Sequence, residues 1–267
     1  MDQEFFMAFF ECHFHSAVLG RAVSLNAVVP QLPFSAATPK TQEYKVVYLF
    51  HGLSDDSSMW FRRSSIERYA DERKLAIIMP DGGRGFYSDA LNGDRYWTFI
   101  AEELPFFVQN NFPVSCRRED TFAAGLSMGA YGAIKLGLRL PEKFSAVAGL
   151  SSLVDLKKRF RSPDSASWRP ELKRIFGSPG KLSLYRNDLF ALADKAVGSG
   201  KNLPKILSIC GSEDFMIQDN RHFNKHMKKI NYPDYHSFEY PGSHSWEFWD
   251  RYIQDVLDFF ISGKLPE

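Results

Sequence analysis

The sequence predicts a three-layer α/β fold, a mostly parallel sheet covered by helices on both faces. Short runs that are apolar on both faces, such as Lys45–Phe50 and Leu75–Pro80, are typical of parallel strands between two helical layers. These runs alternate with helical segments, as in repeated βα units. The chain has 267 residues, of which 44% are hydrophobic and 24% charged, and this composition supplies enough apolar material for a large core.

The predicted elements follow one another in a simple order. A hairpin opens the chain, because two runs rich in Phe and Val, residues 8–16 and 21–29, are separated by Gly20. The alternating part comprises strand 45–50, helix 64–73, strand 75–80, helix 98–110, strand 121–125, helix 128–139 and strand 144–150. It resumes later with strand 205–211, helix 219–230, strand 236–240 and helix 246–261. Apolar residues recur every three or four positions in the last helix, so one face of that helix should pack on the sheet.

The alternation breaks between Leu153 and Gly200, where Arg, Lys, Ser and Pro are dense. Helical pieces are expected near residues 170–176 and 183–195. Length alone permits one domain or two. Since the βα pattern continues on both sides of the break, we expect a single domain over residues 1–267, with residues 153–200 as a small cap insertion over one edge of the sheet.

Charge and composition argue against several classes of protein. The chain has 33 basic and 32 acidic residues and no run of like charges, so neither nucleic acid nor a membrane is an expected partner. The cysteines Cys12, Cys116 and Cys210 fit neither a disulfide framework nor a CxxC site. The first sixteen residues lack the basic start of a signal peptide. We expect a cytoplasmic protein; a homo-oligomer stays open, and the sequence does not locate its interface.

The most specific motif is Gly125-Leu126-Ser127-Met128-Gly129, which lies where a predicted strand ends and a helix begins. This is the G-x-S-x-G pattern of a nucleophile elbow, in which a tight turn lifts the serine clear of the sheet. The two glycines leave room where side chains would collide with neighbouring backbone. The start of the following helix also directs its amides towards an anion that forms beside the serine.

A serine hydroxyl needs a base to take its proton and a carboxylate to orient that base. In chains with this elbow the order is serine, acid, histidine. Glu213 and Asp214 directly follow the strand that ends at Gly211, and we predict Asp214 as the acid, with Glu213 as the alternative. His244 is the predicted base, because it lies in the short loop between the last strand and the last helix.

An oxyanion on the substrate requires two backbone donors. Met128 directly follows the nucleophile and should supply one amide. Leu53 should supply the other, since Gly52 lets the chain turn after a buried strand with its amides facing inwards. The residue before this turn, His51, is a candidate substrate-binding residue.

Four aromatic residues flank the predicted catalytic loops: Trp60, Phe86, Tyr87 and Trp246. They are candidates for the wall of a substrate pocket, and packing in the core is an equal alternative for each. Of these four, Trp60, Tyr87 and Trp246 join His51 as the candidate substrate-binding residues.

No metal site is expected. His13 and His15 could share one face of a strand, but no third ligand is evident. His222 and His226 are one helical turn apart, yet the segment HFNKH lacks the glutamate of a zinc-protease motif. We therefore predict neither a metal nor another cofactor.

Six segments together carry a family resemblance: HGLSDDSSMW, MPDGGRGFYSD, FIAEELP, GLSMGAYGA, CGSEDF and GSHSWEFW. In this order, from about Lys45 to Trp249, they resemble the esterase D branch of the α/β-hydrolases, and most closely the bacterial tributyrin esterases. The resemblance implies an α/β-hydrolase fold and a metal-independent carboxylesterase that forms an acyl-enzyme. It places a triad on Ser127, Asp214 and His244 and the oxyanion amides on Leu53 and Met128.

The expected activity is hydrolysis of small esters with short acyl chains, acetyl to butyryl. The resemblance also includes S-formylglutathione hydrolases, feruloyl esterases and mycolyltransferases, so one scaffold serves several substrates. The alternatives are therefore thioester hydrolysis of S-formylglutathione and hydrolysis of feruloyl or acetyl-sugar esters. A binding module without catalysis is disfavoured because all three triad residue types are present.

Overall fold

An eight-stranded sheet forms the centre of the computed structural model, which describes residues 6–31, 43–184 and 186–267. The strands are β1 (Met7–Ser16), β2 (Arg21–Pro30), β3 (Lys45–Phe50), β4 (Leu75–Pro80), β5 (Thr121–Leu126), β6 (Ala146–Leu150), β7 (Lys205–Gly211) and β8 (Tyr235–Tyr240). Their spatial order is β1-β2-β4-β3-β5-β6-β7-β8. The hairpin β1–β2 and the pair β2–β4 are antiparallel, and the remaining pairs are parallel.

Helices connect the strands. They are α1 (Met59–Arg63), α2 (Ile66–Arg73), α3 (Tyr96–Thr98), α4 (Leu104–Asn111), α5 (Met128–Arg139), α6 (Leu156–Arg159), α7 (Arg169–Phe176), α8 (Lys181–Leu184), α9 (Leu189–Val197), α10 (Ile217–Lys229) and α11 (Trp246–Ser262). A π-helical turn, Phe99–Glu103, joins α3 to α4. None of the helices in the described ranges is long and apolar enough to cross a membrane.

The alternation of side chains along the strands builds two cores, one on each face of the sheet. In β3, Tyr48 and Phe50 join the core under α4, α5, α9 and α10, whereas Val47 and Leu49 join the core under α1, α2 and α11. This follows from the two-residue period of a strand. The predicted three-layer arrangement around a mostly parallel sheet is therefore confirmed.

The predicted boundaries differ from the structure where a local break was not visible in the sequence. The helix expected at 98–110 is divided into α3, the π-helical turn and α4. The helix expected at 183–195 is two helices. Arg186 has a φ of 59°, and the Asp188 side chain accepts a hydrogen bond from the Phe190 amide, so α9 has its own N-cap. Helix α1 was not predicted.

Residues 153–200 contact the loop that follows β4 and the start of the chain after β5, both at the carboxyl edge of the sheet. The guanidinium of Arg84, in the loop after β4, donates two hydrogen bonds to Glu171 of α7, at 2.5 and 2.8 Å. Tyr131 of α5 donates from its hydroxyl to the carbonyl of Asn187, at 2.8 Å. The insertion is therefore attached above the junction of β5 and α5.

Candidate active site

Ser127 forms the junction between β5 and α5 in a strained backbone conformation. Its φ is 52° and its ψ is −112°, outside the regions that a residue with a side chain normally occupies. Its amide donates to the carbonyl of Leu150 in β6, at 2.9 Å. Its carbonyl accepts from the amides of Tyr131 and Leu153, each at 3.2 Å. Three backbone hydrogen bonds thus fix the turn that presents the Ser127 hydroxyl.

The two glycines of the motif are required by close backbone packing. A Cβ on Gly129 would lie 2.3 Å from the carbonyl oxygen of Phe50, and a Cβ on Gly125 would lie 2.5 Å from the carbonyl carbon of Gly129. Both distances are far below van der Waals contact. The elbow therefore packs directly against the end of β3.

A hydrogen-bonded chain links the hydroxyl of Ser127 to a buried carboxylate. Nε2 of His244 lies 3.1 Å from Oγ of Ser127, and Nδ1 of His244 lies 2.8 Å from Oδ2 of Asp214. Because the carboxylate can only accept, Nδ1 carries the proton and Nε2 is free to accept one from the serine. Two rings hold the imidazole: Trp249 meets it edge-on at 4.9 Å between centroids, and Phe215 lies 4.6 Å away.

The environment separates the two candidate acids. Asp214 is 2% exposed, and its Oδ1 accepts the amide of Met216 at 2.7 Å. Burial raises the pKa of Asp214, but the hydrogen bonds from His244 and Met216 outweigh burial and lower the pKa below its ordinary value. Asp214 is therefore ionised at neutral pH. Glu213 is exposed to solvent, so the structure brings Asp214 and not Glu213 to the histidine.

The amides predicted for an oxyanion lie in the wall of the same cavity. Met128 is the first residue of α5, so its N–H has no partner within the helix. In the described part of the chain, neither this amide nor that of Leu53 donates to a protein group. Both amides are available to a ligand beside Ser127.

His51 holds the turn that carries Leu53. Its Nε2 accepts the amide of Gly82 at 2.8 Å, so the ring is neutral and Nδ1 donates to the carbonyl of Gly52 at 2.7 Å. Asp55 accepts the amide of Gly52 at 3.1 Å. The three contacts fix both sides of the Gly52 peptide.

A cavity of about 450 Å³ opens in front of Ser127. Its wall contains apolar and polar residues, and the charged residues Asp55, Arg63 and Glu247 are among them. The apolar residues include Phe86, Leu153, Trp168, Phe215, Met216 and Trp246. Trp168 comes from the insertion and stacks on Phe86, with ring centroids 5.9 Å apart and planes at 15°.

The structure places the four candidate substrate-binding residues in two different settings. Trp246 lines the cavity, but His51, Trp60 and Tyr87 are at most 1% exposed and do not line it. Trp60 donates from Nε1 to the carbonyl of Phe50, at 3.0 Å, and Tyr87 donates from its hydroxyl to the carbonyl of His51, also at 3.0 Å. Their polar ends bind the backbone behind the site, so they support its loops.

Among the cavity residues that the sequence did not reveal are Trp168 and Phe215. Phe215 follows the predicted acid and is 52% exposed, a position that the motif CGSEDF makes recognisable. Trp168 lies in the insertion, and no local pattern distinguishes it from the other aromatic residues there. Only its tertiary contact with Phe86 identifies it.

The histidine pairs considered for metal binding are placed apart from this site. His13 lies 3.7 Å from Glu11 on β1, and Nε2 of His226 lies 3.0 Å from Asp194. Across residues 6–31, 43–184 and 186–267, the structure contains no group of three or more potential metal ligands.

The known proteins that this chain resembles are esterases and serine hydrolases. A model of the family described as "Putative esterase" matches residues 16–260. An acetyl esterase of Caldicellulosiruptor saccharolyticus is 29% identical over 261 residues, which cover 94% of this chain and 97% of that protein. The solved structure of fluorophosphonate-binding serine hydrolase F of Staphylococcus aureus, with substrate bound, is 33% identical. It superposes with a TM-score of 0.89 over 96% of this chain and 99% of that one.

A second solved structure, an S-formylglutathione hydrolase of Staphylococcus aureus, is also 33% identical, with a TM-score of 0.86 over 96% of this chain and 99% of that one. A ferulic acid esterase is 22% identical with a TM-score of 0.79, a likeness of fold only. The predicted α/β-hydrolase fold is confirmed by these structures.

Gly129→Ala tests the packing of the elbow. Helix propensity alone would favour alanine by about 1 kcal/mol, whereas the collision with the Phe50 carbonyl should cost about 1–3 kcal/mol. We expect a lower free energy of unfolding in a urea titration. The control is Gly180→Ala, where a Cβ meets nothing within 4 Å and the change should stay within about 0.5 kcal/mol. Equal stability of the two variants would show that the packing imposes no constraint.

Proposed function

The chain belongs to the esterase family that matches residues 16–260 and is a carboxylic ester hydrolase; from this premise we propose that it hydrolyses short-chain acyl esters, acetyl to butyryl, through an acyl-enzyme on Ser127. The observation that carries the proposal is the hydrogen-bonded chain from Ser127 through His244 to the buried Asp214, which faces a cavity of about 450 Å³.

The first half of the reaction transfers the acyl group to the enzyme. Nε2 of His244 takes the proton from Oγ of Ser127 as Oγ attacks the ester carbonyl carbon. Asp214 accepts the Nδ1 proton of His244 in a hydrogen bond and stabilises the imidazolium that forms. The imidazolium then gives its Nε2 proton to the alcohol oxygen as the carbon–oxygen bond breaks.

Water completes the cycle. His244 removes a proton from a water molecule, which attacks the acyl carbon and forms a second tetrahedral intermediate. The protonated histidine returns the proton to Oγ of Ser127, and the carboxylic acid leaves. As proposed, both halves use only the side chains and backbone amides of this chain.

The backbone amides of Leu53 and Met128 would bind the negative oxygen in both tetrahedral intermediates. Each such donor is worth about 10²–10³-fold in kcat in comparable sites. Support for this assignment comes from the free N–H at the start of α5 and from the contacts of His51 and Asp55 with the Gly52 peptide. The amides are thus preorganised before substrate binds.

The proposed acyl preference rests on the wall formed by Phe86 and Trp168. The two stacked rings line the cavity that contains Ser127, and in this proposal they limit the length of an acyl chain. The ion pair of Arg84 with Glu171 attaches α7, directly after Trp168, to the loop that carries Phe86. In this proposal residues 153–200 act as a cap within one domain and set the acyl preference.

Thioester hydrolysis is a second candidate, because the S-formylglutathione hydrolase of Staphylococcus aureus covers nearly the whole chain at 33% identity. The two candidates share one mechanism and differ in the leaving group. A kcat/KM for S-formylglutathione that exceeds the value for p-nitrophenyl acetate by orders of magnitude would favour the thioesterase. Acetylated sugars and feruloyl esters belong in the same substrate panel.

Ser127→Ala should lower kcat for p-nitrophenyl acetate by about 10⁴-fold or more, because no nucleophile remains. Labelling by a fluorophosphonate probe should also be lost. The matched control is Ser54→Ala, since Ser54 lines the same cavity outside the hydrogen-bonded chain; its kcat should stay within a few-fold of the wild type. Undiminished turnover by the Ser127 variant would refute the assignment of the nucleophile.

Asp214→Asn should lower kcat by about 10³–10⁴-fold, because an amide cannot stabilise the imidazolium and can hold the wrong tautomer of His244. Glu213→Gln removes the neighbouring carboxylate, which is exposed, and should change kcat little. Steady-state kinetics on p-nitrophenyl acetate measure both. The reverse ranking of the two variants would assign the acid to Glu213.

Trp168→Ala should extend the range of acyl chains, because it removes one of the two stacked rings of the wall. We expect the ratio of kcat/KM for p-nitrophenyl octanoate to that for the acetate to rise by at least about tenfold, equivalent to about 1.4 kcal/mol. A panel from acetate to palmitate measures it. An unchanged chain-length profile would remove Trp168 from the acyl site.

A further inference from the structure

The outer edge of β1 carries an unpaired row of backbone groups. β1 is the first strand of the sheet, and among the described residues only β2 pairs with it. The strand is ten residues long, MAFFECHFHS, and contains neither Lys nor Pro. Natural edge strands are usually short, or carry Lys, Pro or a bulge, so that other chains do not pair with them. β1 is not short and contains neither Lys nor Pro, and Glu11 is its one acidic residue.

The register of the hairpin shows which residues point their backbone groups outwards. The amide of Gln31 donates to the carbonyl of Phe6 at 2.7 Å, so this pair is hydrogen-bonded. Hydrogen-bonded and non-hydrogen-bonded pairs alternate along an antiparallel ladder. Met7 therefore lies in a non-hydrogen-bonded pair, which agrees with its partner Pro30, a residue without an N–H. The outward groups belong to the odd-numbered residues Met7, Phe9, Glu11, His13 and His15.

Exposed aromatic rings flank this edge on both faces. Phe9 is 40% exposed and stacks on Phe61, with ring centroids 4.1 Å apart. Phe10 points to the opposite face, is 43% exposed, and meets Phe112 edge-on at 5.5 Å. A strand added to the edge would cover part of both rings.

We propose that this edge binds a second copy of the chain, with β1 antiparallel to β1, and so joins the two sheets into one of sixteen strands. An antiparallel strand of the same sequence has the same outward groups, so odd residues must face odd residues. The chemistry of the side chains then selects the register. The occupant is a second copy because the edge is complementary to itself.

Three neighbouring registers allow the outward N–H and C=O groups of the two strands to form hydrogen bonds with each other. One places Glu11 opposite Glu11 of the second copy and brings two carboxylates together. Another places His13 opposite His13. The register between them places Glu11 opposite His13 of the second copy, twice by symmetry, and a carboxylate that faces an imidazole stabilises a cross-strand pair. In the single chain Glu11 and His13 already share one face, 3.7 Å apart, so the four groups form an alternating cluster.

The register that pairs Glu11 with His13 can be detected by a disulfide cross-link. It places Cys12 opposite Cys12 of the second copy in a non-hydrogen-bonded pair, where the Cα atoms are about 4.5 Å apart. That separation lies within the range of disulfides, about 4.4–6.8 Å. Cys12 is a free, partly buried thiol. An oxidant that accepts the two electrons should therefore join the two sulfurs, with loss of both thiol protons.

The oligomeric state tests the surface. Sedimentation velocity of the full chain should give twice the chain mass of 30.6 kDa. His13→Pro removes an outward N–H and leaves the bonds to β2 in place, so it should give a folded monomer, with an unchanged circular dichroism spectrum, that keeps its hydrolysis of p-nitrophenyl acetate. The matched control, His13→Ala, keeps the N–H and should stay dimeric. A monomeric wild type, or a dimer that His13→Pro leaves intact, would overturn the proposal.

Charge-swap variants and disulfide cross-linking test the register, and neither measurement depends on catalytic activity. Glu11→Lys should raise the dissociation constant of the dimer, and the double variant Glu11→Lys with His13→Glu should restore it. In a Cys116→Ser background, which removes an exposed thiol, copper-phenanthroline should yield a covalent dimer that Cys12→Ser abolishes. A dimer without this cross-link, or without rescue by the double variant, would contradict the register.

Discussion

The strained backbone of Ser127 is the constraint on which the rest of the site depends. A positive φ at a residue with a side chain costs about 1–3 kcal/mol and persists only where the surroundings enforce it. Here β6 holds the Ser127 amide, the start of the insertion holds its carbonyl, and β3 packs against Gly129. Because these segments come from three parts of the chain, the hydroxyl takes its position only in the completed sheet. The same turn starts α5 and frees the Met128 amide.

At the other end of the hydrogen-bonded chain, the charge of Asp214 depends on its burial and on its hydrogen bonds. A carboxylate that is 2% exposed would be protonated more readily than in water, but His244 and the Met216 amide bind its two oxygens and keep it ionised. A buried charge of this kind is stable only with its partners in place. The imidazole is thereby fixed in one tautomer, which leaves Nε2 directed at Ser127. The position and the tautomer of the histidine thus have one cause.

The sequence predicts the polar chemistry of the site better than its walls. Ser127, Asp214 and His244 stand in short motifs after strands, so their chain order and the parallel sheet already bring them to one edge. The preference for Asp214 over Glu213 is a matter of burial, which a sequence shows only indirectly. Trp60 and Tyr87 look the same in a sequence whether they line a pocket or support its loops, because the backbone carbonyls that bind them have no sequence signature. Trp168 is recognisable as a cavity residue only from the tertiary contact of the insertion with Phe86. The start of α9 depends on the Asp188 N-cap, which helix propensity does not indicate.

The central claim is that the acyl group passes through Ser127. The most direct measurement mixes the enzyme with excess p-nitrophenyl acetate, quenches with acid during turnover, and maps the acetylated peptide by mass spectrometry. We predict one acetyl group per chain, on Ser127, which appears at the rate of the first burst of p-nitrophenol and disappears when the substrate is exhausted. Turnover without acetylated Ser127, or with the acetyl group on another residue that forms and decays at the catalytic rate, would contradict the account.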